Sequence, residues 1–141
     1  PLTILRCTVL YGPGDTINRA IPNFIRSALA GKSIEVAGGQ FLRDYLSTDE
    51  AARAVYLAAT SNKQGVYIIG SGRSITIGNL AQIIANQSNP PVSIRSTPKK
   101  EGFHVMLNCS KAKRDLGFIA NPFPYQLPKT IQWYKTHIRN I

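Results

Sequence analysis
Apolar positions along this chain follow two periods, and the switching between them lays out the elements. Residues 2–9 (LTILRCTV) and 65–70 (GVYIIG) are almost unbroken apolar runs with β-branched residues. That pattern predicts strands buried on both faces, as in a parallel sheet. Helical spacing occurs over residues 21–30, with Pro22 in the first turn and Gly31 just past the end. It returns over 49–60, over 76 to about 87 with Leu80, Ile83 and Ile84 inward, and over 110–116 before Gly117. Thr76 and Ser110 are the expected caps of the last two, and Asn89-Pro90-Pro91 stops the first of them. A final helix is predicted from about 127 to 138, with Ile131, Tyr134 and Ile138 on one face and prolines 122, 124 and 128 around its start. Short extended segments are expected at 34–36, 74–76 and 92–96. Tyr11-Gly12-Pro13-Gly14-Asp15 forms a loop at the carboxyl end of the first strand, where α/β proteins place their ligands.

Strands alternating with helices make this an α/β chain. Only the strands near Leu5 and Ile68 have the character of central strands, too few for a complete doubly wound sheet. The arrangement is organised around residues 38–59, GGQFLRDYLSTDEAARAVYLAA. Gly38 and Gly39 permit a turn with positive φ. Residues 41–47 are extended and carry one arginine, Arg43. Ser47 then reads as an N-cap, with Glu50 closing a capping box, and Ala51, Val55, Leu57, Ala58 and Ala59 supply the helix's apolar surface. An arginine fixed on a strand before a capped helix suits bidentate capture of a phosphate or carboxylate. It suits equally a surface pair with Asp44 or Glu50.

At 141 residues, 43% hydrophobic and 17% charged, the chain is one domain with a real core and is not disordered. Its net charge of +10 raises the question of a polyanionic partner: nucleic acid, an acidic membrane surface or a small substrate. The 17 lysines and arginines are spread along the chain, densest at Lys99-Lys100 and Lys111-Ala112-Lys113-Arg114. No helix-turn-helix, zinc-finger or RNA-binding aromatic signature accompanies them, so nucleic acid is not the expected partner. No apolar run reaches the length of a membrane span and no signal peptide is present, so no membrane is expected either. Cys7, in a strand read as buried, and Cys109, in a loop before a helix, have no metal-binding spacing with the two distant histidines. A reduced, cytoplasmic protein is the expectation. His104 and His137 lack any partner spacing that suggests catalysis and read as surface residues. The chain opens on proline without an initiator methionine and reads as a piece of something longer.

Six stretches carry a resemblance: LRCTVLYGPG (5–14), IPNFIRSALAGKSIEVAGG (21–39), RDYLSTDEAARAV (43–55), GVYIIGSGRSITIGNLAQII (65–84), CSKAKRDLGF (109–118) and TIQWYK (130–135). In order and spacing they resemble the carboxyl-terminal portion of the extended short-chain dehydrogenase/reductase family, the NAD-dependent sugar-nucleotide epimerases and dehydratases. The resemblance implies an incomplete Rossmann-type sheet plus that family's small substrate-binding α/β region. Residues 1–141 would be a single carboxyl-terminal substrate-binding portion, with the amino-terminal NAD-binding half absent. The family's glycine-rich turn for the pyrophosphate does not occur here. Its Tyr-x-x-x-Lys spacing occurs once, at Tyr125 and Lys129, but Pro128 would interrupt the helix that must carry both side chains. No catalytic residue and no metal are therefore expected on this chain. NAD or NADP would serve the intact enzyme, with none expected on this portion alone.

The resemblance places Arg43 on the nucleotide diphosphate. Asn23 and Phe24 match loosely the segment that packs on the base or phosphates; a solvent-facing first turn and a core aromatic are the alternatives. A second basic residue would come from the connector before the Ser-Lys-Ala helix, as Lys99 or Lys100, unless these form a solvated pair. Thr8, near the end of the first strand, is either a cofactor contact or an ordinary strand threonine. The implied partner is a nucleotide-diphosphate sugar, and a homodimer would belong to the intact enzyme. Val9 and Ile68 stand where many sugar-nucleotide members have asparagine, and Asn108 where aspartate is usual, which leaves the sugar and the nucleotide open. The rival readings are a binding domain without chemistry and a basic nucleic-acid-binding module, the latter marked by a steep salt dependence.

Overall fold
The computed structural model describes residues 2–121 and 123–137. Its elements run β1 (Thr3–Cys7), β2 (Val9–Tyr11), α1 (Ala20–Leu29), β3 (Ile34–Ala37), β4 (Leu42–Arg43), β5 (Tyr45–Ser47) and α2 (Thr48–Thr60). They continue with β6 (Gly65–Ile69), β7 (Ile75–Thr76), α3 (Ile77–Ala85), β8 (Ile94–Thr97), α4 (Ser110–Leu116) and α5 (Leu127–His137). The strands pair two by two. β1 runs parallel to β6, β2 to β5 and β3 to β8, while β4 and β7 are antiparallel. This is the partial α/β architecture that the sequence pattern predicts.

The local signals are realised where side chains meet backbone. Ser47 accepts a hydrogen bond from the Glu50 amide at 3.2 Å and starts α2. Thr76 accepts one from the Asn79 amide at 3.0 Å and starts α3. Gly117 closes α4 in the left-handed region, φ +66°, where a side chain would be strained. Three expectations change. Cys109, not Ser110, is the residue before α4, and Asn108 Oδ1 accepts the Ser110 amide at 3.0 Å instead of a serine cap. The Glu50 carboxylate turns away from the Ser47 backbone, taking Arg53 at 2.6 Å and Asn121 at 2.7 Å, so the capping box is half formed. The extended run 41–47 breaks at Asp44 into β4 and β5, which pair with different strands. Ile138, expected on the face of α5, lies outside the described residues.

Two core clusters result. In the first, α1, α3, α5 and β3 bury Phe24, Ile25, Ile34, Val36, Leu80, Ile84, Leu127 and Tyr134, together with Tyr11 and Tyr45. The second is built on one side of β1–β6, where α2 and α4 cover Tyr67 and Ile69 with Ala54, Ala112, Leu116 and Phe118. The other side of that sheet is uncovered: Ile4 is 44%, Val66 45% and Ile68 39% exposed. The expectation of burial on both faces thus fails for one face, and Cys7 at the end of β1 is exposed as well. Among the described residues no helix is long and apolar enough to cross a membrane.

Candidate functional site
The carboxyl ends of β1 and β6 meet the break between β4 and β5, and Arg43 stands there. One Arg43 nitrogen, Nη1, donates to its neighbour's carbonyl, Leu42, at 2.7 Å and to the Phe103 carbonyl at 2.5 Å. The guanidinium carbon lies 4.8 Å from the centre of the Phe103 ring. Neither surface pair expected from the sequence is present. Asp44 is fully buried and bonds Ser71, and Glu50 is taken by Arg53 and Asn121. Arg43 is therefore held by carbonyls and an aromatic ring, with its charge uncompensated by these two carboxylates. A positive charge fixed this way suits an incoming anion.

A cavity of about 230 Å³ opens beside it, lined by Val9, Leu10, Arg19, Ala20, Ile21, Arg43, Tyr45 and Ile77. Arg19 is the feature that the sequence reading missed. Its guanidinium donates to Asp15 Oδ2 at 2.8 Å and to the Leu10 carbonyl at 2.6 Å, so it braces the loop between β2 and α1. The i, i+4 spacing of Asp15 and Arg19 was its only local signal. Tyr45 lies on the same wall, and burial pushes its phenol up to about 12 in spite of the Arg43 charge nearby. It stays neutral and can only donate or accept hydrogen bonds there.

The remaining candidates fall at different distances from this cavity. α1 contributes its first residues, Ala20 and Ile21, whereas Asn23 accepts from Arg26 at 2.5 Å and Phe24 is buried in the first core cluster. Phe24 thus takes the place of the core aromatic, the alternative given for it. Lys99 and Lys100 are exposed on the connector and do not line the cavity. Thr8 donates its hydroxyl to the Asp44 carbonyl at 2.9 Å and borders a second, more open cavity with Arg6, Cys7, Val9, Ile68 and Leu107. Tyr125 and Lys129 do not act together, since Tyr125 is exposed in the turn before α5 and Lys129 pairs with Asp49 at 2.6 Å. The Cys109 thiol is pushed up by burial and by the Asp44 carboxylate, with partial relief from the Gly70 and Gly72 amides, which leaves it a poor nucleophile.

Comparison with known proteins adds to this picture. Residues 1–70 match the model of the NAD dependent epimerase/dehydratase family. The chain is 31% identical over 140 residues to dTDP-glucose 4,6-dehydratase of Streptomyces niveus and 31% identical over 151 residues to that of Escherichia coli. Each alignment takes in 95% of this chain and 42% of the relative, so the chain spans about two fifths of the length of these curated relatives. Among solved structures, UDP-glucose 4-epimerase of Thermotoga maritima with UDP-glucose superposes with a TM-score of 0.86 at 26% identity, over 97% of this chain and 47% of that one. The dTDP-glucose 4,6-dehydratase of Streptomyces venezuelae, with NAD bound, gives 0.81 at 26% identity, over 96% and 44%. Motif order, strand pairing and these likenesses agree: the chain belongs to the NAD-dependent epimerase/dehydratase family, of the extended short-chain dehydrogenase/reductase type.

Proposed function
We propose that this chain is the nucleotide-sugar-binding, carboxyl-terminal portion of an NAD(P)-dependent sugar-nucleotide epimerase, dehydratase or reductase. The observation that carries the reading is Arg43, a guanidinium pinned beside a cavity that Arg19 also lines. Arg43, with neither Asp44 nor Glu50 paired to it, offers its charge to an incoming phosphate, while Arg19, already paired with Asp15, shapes the wall beside it. Ala20, Ile21 and Tyr45 would flank the nucleotide, and Lys100 would bring a flexible point charge from the connector. Thr8, at the end of β1, would face the cofactor side. The nicotinamide supplies hydride transfer to and from the sugar; this chain's part is to hold the diphosphate and aim the sugar. The bare apolar face of β1–β6 supports completion of the sheet by the remainder of the family fold, which would carry the pyrophosphate turn and the proton-transferring tyrosine.

Titration calorimetry with UDP, dTDP, CDP and GDP tests the reading. One of them should bind, and Arg43→Ala should weaken it about tenfold or more, because a charge-assisted hydrogen bond contributes about 1.5–3 kcal/mol. Arg43→Lys, which keeps the charge but loses the fork, should fall between the two. NAD should bind weakly to wild type and mutants alike. Wild-type affinity in Arg43→Ala would make Arg43 a structural residue and remove the assignment.

A further inference from the structure
Asp44 is a fully buried carboxylate with no cationic partner among the described residues, and the binding reading above leaves it without a task. Such a group is costly to keep unless its oxygens are satisfied. They are: Oδ1 accepts the Ser71 amide at 2.8 Å and Oδ2 the Ser71 hydroxyl at 2.9 Å, while its backbone carbonyl accepts the Thr8 hydroxyl at 2.9 Å. One residue thus ties together the ends of β1 and β6 and the β4–β5 break. The neighbourhood is shaped for it. A side chain at Gly70 would come within 3.0 Å of Asp44 Oδ1 and 2.8 Å of Leu107.

Side chains alternate along an extended segment, so anchoring Asp44 on one side sets the direction of Arg43 and Tyr45 on the other. Ser71 also opens the turn into β7, whose Ile75 is the register partner of Arg43. The connector hangs from the same frame, with Val105 donating to the Leu42 carbonyl at 3.0 Å and Ser74 to the Val105 carbonyl at 2.6 Å. That connector provides the Phe103 carbonyl and ring that hold the guanidinium. We propose that Asp44 is a positioning residue that aims Arg43 at the diphosphate through its paired hydrogen bonds to Ser71. The inference rests on the diphosphate reading and extends it to a residue that touches no ligand.

The test separates aiming from mere stability. In the 141-residue chain, Asp44→Ala should weaken the preferred nucleoside diphosphate roughly tenfold, leaving the parent nucleoside, followed by NMR line broadening, unchanged. Asp44→Asn should restore most of the affinity, since its amide oxygen still accepts the Ser71 N–H. In an Arg43→Ala background, Asp44→Ala should cost nothing further, because the residue acts through Arg43. Should Asp44→Ala fail to fold, Ser71→Ala takes its place, with a few-fold loss expected only when Arg43 is present. Equal weakening of nucleoside and diphosphate, or losses that add in the double mutant, would overturn the inference and leave the diphosphate reading standing. No binding of any diphosphate by wild type would overturn both.

Discussion
Where α1, α3 and α5 meet, Ile25, Leu80, Ile84 and Tyr134 are no more than 1% exposed, whereas along β1 and β6 the apolar residues of one face stand open to solvent. Both regions are built from the same kinds of side chain. In the first, helical spacing puts every apolar residue on an inward stripe and the outer stripe is polar. In the second, Ile4, Val66 and Ile68 occupy the outward positions of strands whose inward positions, Tyr67 and Ile69, are already apolar. A strand that faced water by design would alternate in polarity. The difference marks β1–β6 as a sheet made to be covered on both sides, and the helical layer as finished.

Three changes would break or sharpen that contrast, in descending order of effect. Leu80→Ala in the finished layer should cost about 2–5 kcal/mol in urea unfolding, as a buried leucine lost to a cavity does. An unchanged midpoint would mean that this layer is no better packed than the open sheet. Next, Tyr11 and Tyr45, both in the finished layer, are pushed up to about 12 by burial. An unfolded phenol titrates near 10. Stability should therefore be fully present below pH 10 and lost as the pH rises toward 12, since only the unfolded chain releases those protons readily. Tyr45→Phe should flatten that alkaline slope in a pH series of thermal melts. The smallest effect belongs to the open face. Ile68→Lys should change stability by no more than about 0.5 kcal/mol, as a surface substitution does, while reducing self-association in sedimentation. A large loss of stability instead would show that the face is covered in solution.

The sequence was most legible where one side chain decides one local event. Ser47 and Thr76 cap as expected because the signal and its partner are three residues apart. Arg43 could be singled out because it is the one arginine on an extended segment that runs straight into a capped helix. Asp44 could not, because an acid beside an arginine suggests a surface pair, and its burial depends on Ser71, far along the chain. That the cavity is lined by Ala20 and Ile21, one turn before Asn23 and Phe24, was not legible for a related reason: periodicity reveals the buried face of a helix but not which turn meets a distant strand. The open face of β1–β6 was invisible to hydropathy, which records what a strand is suited for and not what stands beside it.

The strand register has a consequence for how the chain acquires its shape. Among the described residues, no two paired strands are joined by a tight hairpin. Thr3 lies against Gly65, Ile34 against Ile94, and even the antiparallel pair matches Leu42 with Thr76. Each pairing must close a long loop before any ladder hydrogen bond rewards it, so the helices are free to form early while the sheets wait for distant segments to meet. Arg43 sits where several of these long closures converge, so its placement depends on distant segments having met correctly.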